Sequence, residues 1–183
     1  MPGALTLVLA AALVTLPPLP QRGLALETRA GVQLETMSGR PLGTLPGLDL
    51  ALDQAAAHVV MLRSRRGALY AFDGHRLRPH ASRYVGHWIW SERSPGGRAT
   101  LAQWSGECEI PVAYLSVNGK RRKVADETVA LGWLPHDEAV IHFRPLGCAG
   151  SGRNGIYAIR YDGRRARMLL RTPRLAQYLM WGG

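Results

Sequence analysis

The sequence predicts an all-β repeat protein: a partial β-propeller of about three complete four-stranded blades with terminal part-blades, preceded by a hydrophobic export segment. Three observations predict it. Turn dipeptides ending at Gly39, Gly74, Gly119 and Gly163 recur at intervals of 35, 45 and 44 residues. Each dipeptide stands between two short strand-like runs, the strongest local hairpin signal. Beyond the N-terminal segment, no window keeps apolar residues at helical spacing for more than two turns.

The elements follow in order. Leu5 to Leu16 is twelve residues without a charge, followed by Pro17, Pro18 and Pro20 and by Gly23-Leu24-Ala25. This is the layout of a signal peptide, with cleavage expected after Ala25. Residues 1–4 carry neither Lys nor Arg, which leaves an uncleaved N-terminal anchor as the alternative. Residues 26–183 form the repeat region. It opens with a part-blade at 31–46, an outer hairpin turning at Ser38-Gly39. Blades at 48–82, 83–126 and 128–172 turn at Asp73-Gly74, Asn118-Gly119 and Asp162-Gly163, and a further blade starts at 175–183. In each blade a strand with a large apolar residue, a buried-looking run, a hairpin strand and a polar, basic outer strand succeed one another, which is blade spacing.

Trp90-Ser91 with Ser94-Pro95-Gly96-Gly97-Arg98 resembles the Trp-Ser-Pro-Asp-Gly-Arg signature of TolB-like, WD40-like β-propellers. Gly132-Trp133-Leu134-Pro135-His136-Asp137 is a looser copy, and Leu179-Met180-Trp181 is similar to the start of another. Leu101 to Glu109 resembles secreted, actinobacterial-type propeller proteins of no assigned activity. The resemblance covers residues 31–181 and implies a fold rather than an activity. Six or seven blades at this period need roughly 240 residues or more, so an open arc is expected rather than a closed ring. The alternative is that the end pieces meet and close four blades, one strand short, with Leu7 to Leu13 as a candidate for the missing strand. An open arc exposes apolar faces around Leu50 and Trp181, and homodimer formation through those faces is expected.

Cys108 and Cys148 follow the second strand of consecutive blades. Equivalent loops of neighbouring blades lie side by side, and an exported chain meets an oxidising compartment, so a disulfide between them is expected. Closing such a loop stabilises by about 4 kcal/mol in the chain-entropy model. Trp90, Trp133 and Trp181 recur once per repeat and are read as blade-packing residues. The six His show no metal-ligand spacing, and the Gly-rich run Gly147 to Gly152 is neither a phosphate loop nor a nucleophile elbow. No catalytic residue, cofactor or metal site is assigned.

Of 23 basic residues only Lys120 and Lys123 are Lys, and the one tight run of four is Lys120-Arg121-Arg122-Lys123. Scattered Arg residues give the net charge of +10 without defining a polynucleotide track, and no nucleic-acid partner is expected. Membrane contact is expected only through an uncleaved N-terminal segment. Together these features indicate a secreted or cell-envelope, non-catalytic scaffold that binds an unidentified protein. The alternative is the propeller portion of a secreted hydrolase or lyase whose catalytic part lies outside this chain.

Overall fold

The computed structural model describes residues 5–9, 12–54, 58–81, 88–105, 111–143, 154–173 and 176–182. Among them every regular element is a strand, and none is a helix long and apolar enough to cross a membrane. The chain divides into two compact units, residues 1–83 with 177–182, and residues 84–176.

The first unit begins with β1 (Leu5–Leu9) and β2 (Ala12–Leu16), followed by β3 (Gly23–Thr28), β4 (Gly31–Glu35) and β5 (Pro41–Pro46). It continues with β6 (Leu48–Leu50), β7 (Val60–Ser64), β8 (Leu69–Phe72) and β9 (Leu77–Pro79). The second unit contains β10 (Trp88–Arg93), β11 (Ala99–Ser105), β12 (Pro111–Val117) and β13 (Lys120–Ala125). Then come β14 (Thr128–Leu134), β15 (Glu138–Phe143), β16 (Gly155–Arg160) and β17 (Ala166–Arg171). The last strand, β18 (Tyr178–Trp181), belongs to the first unit.

Sixteen of these strands make four antiparallel four-stranded sheets of propeller-blade type: β18-β3-β4-β5, β6-β7-β8-β9, β10-β11-β12-β13 and β14-β15-β16-β17. Their composition follows position. In β15 Ala139 to Phe143 are all buried, so both faces are apolar, whereas β13 (KRRKVA) ends its sheet and exposes its four cations. Charged outer strands of this kind deter edge-to-edge pairing between like-charged copies of the chain. Each unit has its own core. In the first, Leu34, Leu45, Leu62, Phe72 and Trp181 pack together; in the second, Leu101, Leu115, Trp133 and Ile141 do so.

The first sheet corrects the blade count. The hairpin at 31–46 is not a part-blade, and 175–183 does not start a further one. They are completed into one four-stranded sheet by β3, which pairs with β4 through Ala25↔Leu34 and with β18 through Ala25↔Leu179. Gly23 to Thr28 escaped recognition as a strand because its small-x-small start reads as a cleavage site. The missing position is therefore filled by β3, and not by Leu7 to Leu13; β1 and β2 pair only with each other. The expected cleavage point after Ala25 falls inside β3, where Leu24 and Ala25 are fully buried. Upstream, buried Leu16 lies against Gly43, and the Pro20 carbonyl accepts a 3.2 Å hydrogen bond from Trp181 Nε1–H. Leu50 and Trp181 are buried in the core of this unit.

The four turns are not of one kind. Asn118 and Gly119 have φ of 50° and 74° and form a two-residue loop between Val117 and Lys120, the geometry that Asn-Gly favours. At Gly39, Gly74 and Gly163 only the glycine has positive φ, while Ser38, Asp73 and Asp162 keep ordinary backbone angles within longer loops. Gly39 N–H donates to the Thr36 carbonyl at 2.9 Å and Gly163 N–H to that of Arg160 at 2.7 Å, which closes those loops.

Candidate functional site

The second unit contains an open cleft of about 770 Å³ between the outer strands of its two sheets. The floor is apolar. Leu115 from β12 and Phe143 and Ile159 from β15 and β16 are buried there, and Tyr157 meets the Phe143 ring edge-on with centroids 5.2 Å apart. The rim is cationic. The pairings Val117↔Lys120 and Leu115↔Arg122 put Lys120 and Arg122 on the face of β13 that carries the floor, because directly paired residues share a face. Arg121 and Lys123 alternate with them along β13 and also border the cleft, and Lys123 forms an ion pair with Asp126.

Across the cleft, Arg164 follows the Asp162-Gly163 turn just as Lys120 follows Asn118-Gly119 one repeat earlier. Asp162 is the acidic residue of the rim, and its charge is already engaged. Arg160 Nε–H donates to Oδ2 at 3.0 Å, and the Arg164 backbone N–H donates to Oδ1 at 3.1 Å. The Arg160 hydrogen bond, above all, holds the Asp162 carboxyl below the usual carboxylate range. Arg122 Nη1 reaches the Asp162 backbone carbonyl at 3.4 Å rather than its carboxylate. Lys120, Arg122 and Arg164 form no ion pair with any described carboxylate, so the rim presents a net positive field above an apolar floor.

Tyr161, which lines the cleft, is tied to Asp137. This buried carboxylate accepts the Gly96 N–H at 2.6 Å and faces Arg98 Nε at 3.4 Å. A Cβ at Gly96 would stand 2.5 Å from Asp137 Oδ2, so the Ser94-Pro95-Gly96-Gly97-Arg98 turn needs glycine there. The Asp137 carbonyl in turn takes the Tyr161 N–H at 2.9 Å, and the Arg98 guanidinium lies 5.6 Å from the Tyr161 ring centroid. Asp137 and His136 have φ of 59° and 67°, a conformation disfavoured for residues with a Cβ, and the hydrogen bonds made by Asp137 hold it. Asp137→Ala is expected to destabilise the second unit by about 1.5–3 kcal/mol, the worth of a hydrogen bond to a charged acceptor, which the Gly96 N–H loses. Thermal unfolding of variant and parent measures it, and an unchanged midpoint would refute the role.

The other residues singled out by the sequence are dispersed. Trp133 is fully buried in the second core and its Nε1–H reaches the Glu92 carbonyl at 3.3 Å. Trp181 is fully buried in the first core, and Trp90 packs half-buried against the second. Gly163 borders the cleft beside Arg122, the Cβ position of Gly119 is in open space, Gly74 lies against Trp181, and Gly39 turns the first sheet. Cys108 and Cys148 lie outside the described residues. Among the described residues no three His, Cys, Asp or Glu side chains are grouped to hold a metal ion. Sequence reasoning passed over the cleft. Its trace is there, however, in the basic run after Gly119 and the Arg after Gly163, 44 residues apart like the turns themselves.

A second ionisable pair lies in the first unit. Glu35 on β4 is buried and its Oε1 accepts the Gln33 Nε2–H at 2.8 Å. Burial raises its pKa despite that bond, and burial together with the Glu35 charge pushes the Tyr178 hydroxyl up to about 12. Both folded-state values lie above the unfolded ones, so both groups bind protons more readily in the folded protein. Their contribution to stability is complete below the unfolded pKa and lost as pH rises through the folded one. Stability is therefore expected to fall on raising pH above 4.5 through the Glu35 transition, and again between 10 and about 12. Glu35→Gln should remove the first decline; equal slopes for parent and variant in urea titrations would show that another group causes it.

The described residues thus define a class: an all-β protein of four-stranded, blade-type sheets with a cationic, apolar-floored cleft between two of them. No family model matches the chain, and no curated protein is similar to it.

Proposed function

We propose that this is an extracytoplasmic, non-catalytic protein-interaction scaffold, akin to TolB-like and WD40-like propeller repeats. The observation that carries it is the cleft of the second unit. Apolar surface bordered by the cations of Lys120, Arg122 and Arg164 is binding chemistry, and Asp162, the acidic side chain among the described lining residues, is already held by Arg160. Export is supported by the uncharged run Leu5 to Leu16. With Ala25 inside β3, the reading favours removal of a leader upstream of Leu16, or retention of the segment as an anchor. A Cys108–Cys148 disulfide belongs to the same reading, and non-reducing mass spectrometry of exported protein checks it.

The test places a photo-crosslinking residue at Asn118, exposed at the cleft mouth, or at Arg29, exposed on the first unit, in the native host. A defined protein adduct at one of these positions, on chain recovered outside the cytoplasm, is expected. Protein adducts at neither position, or intact chain confined to the cytoplasm, would overturn the reading.

A further inference from the structure

We infer that the cleft of the second unit docks an acidic, extended peptide segment of the partner protein, seating one aromatic or aliphatic side chain on its floor. The inference rests on the scaffold reading above and names the partner's chemistry. Three features point to this occupant. The floor of Leu115, Phe143 and Ile159 is buried and carbon-rich, with room in about 770 Å³ for a large side chain and its neighbours. Lys120 and Arg122 stand two residues apart on β13, the spacing at which alternate residues of an extended chain point to one side. Arg164, in the turn between β16 and β17, also lines the cleft, so carboxylates on either side of the anchoring residue meet cations from both repeats.

β13 also ends its sheet. An edge strand offers its backbone groups to an added strand, and a peptide pairs with that row where a lipid or a polynucleotide does not. Charge complementarity agrees: the rim carries cations from two consecutive repeats and an acid already engaged by Arg160. A nucleic acid would instead require cations following a phosphate track and aromatic faces presented outward. Here the cations are confined to one short strand and one turn, and the Phe143 ring is buried.

The probe is a fluorescein-labelled peptide of alternating Glu and Leu with one central Phe, titrated with the full chain and read by anisotropy. Saturable binding is expected, weakened about tenfold by Lys120→Glu or by Arg122→Glu, and largely kept by Arg122→Lys. Exchanging Phe for Ser in the peptide is expected to abolish saturation. Arg29→Glu makes the same charge change on the first unit and should leave affinity within about twofold, since Arg29 does not line the cleft. The variants change exposed side chains, and an unchanged circular-dichroism melt confirms their fold.

Equal weakening by Arg29→Glu and Arg122→Glu would show attraction by net charge alone and overturn the site. Arg122-dependent binding of phosphatidylglycerol vesicles or of single-stranded oligo(dT), with none of the peptide, would assign the cleft to another occupant and equally overturn it. A protein adduct at position 29 without peptide binding would fail the site while leaving the scaffold reading intact.

Discussion

Trp181→Ala is expected to unfold the first unit. The indole is fully buried, meets the Phe72 ring edge-on with centroids 5.7 Å apart, and donates Nε1–H to Pro20. Two glycines make room for it. A Cβ at Gly23 would lie 2.1 Å from the ring, and one at Gly74 would lie 2.5 Å from it. Truncating a buried Trp costs about 3–5 kcal/mol, a large share of the 5–15 kcal/mol that holds a typical domain together. Gly74→Ala should approach the same loss, because its φ of 90° disfavours a Cβ and the indole occupies the Cβ position. Gly119→Ala separates the two causes: its φ of 74° is comparable, but nothing lies within 4 Å of its Cβ position. Only the conformational cost of about 1–2 kcal/mol applies there. Denaturant unfolding followed by circular dichroism ranks the three variants. Equal losses for Gly74→Ala and Gly119→Ala would mean that Trp181 does not pack beneath the Asp73-Gly74 turn.

Removing residues 1–25 should be as damaging, while removing 1–15 should be tolerated. The longer deletion takes Leu16, Leu24 and Ala25 from the first core, together with the Pro20 acceptor of Trp181. Each buried Leu contributes about 1.5–3 kcal/mol by burial alone. The deletion also leaves half of β3, so that β4 and β18 lose the strand that joins them. Unpaired strand edges and uncovered apolar faces favour aggregation. The variant lacking 1–25 is expected in the insoluble fraction and the one lacking 1–15 in solution with a cooperative melt. A soluble, cooperatively folding chain that starts at Leu26 would show that β3 is dispensable. N-terminal sequencing of the natural product bears on the same point, and a start upstream of Leu16 is the outcome consistent with the sheet.

Much of the architecture was legible because hairpins are encoded locally. Asn118-Gly119 needs no distant residue to adopt positive φ at both positions, and the β-branched and aromatic residues of the run Val112 to Val117 mark its strand without reference to a partner. The regular interval between turns then exposed the repeat. What misled was also local. Gly23-Leu24-Ala25 satisfies the composition of a processing site and of a short inner strand equally well, and only pairing with residues 31–35 and 178–181 separates the two. The counterpart of Asp137 was equally hidden. Nothing near residue 96 announces that a carboxylate 41 residues later will occupy the space its Cβ would fill.

The sequence by itself determined the strand-rich class, the period of the repeat, the hairpin turns and the apolar character of the Trp-bearing strands. These follow from φ preference, side-chain alternation and burial tendency, which act over a few residues. Tertiary structure alone decided that β18 returns to β3 and completes the first sheet. It alone brought Lys120 and Arg122 opposite Arg164 over a floor drawn from β12, β15 and β16. Such placements depend on which sheet faces which, and hydrophobic attraction is non-directional: it states that Leu115 and Phe143 will be buried, not that cations 44 residues apart will share the rim above them.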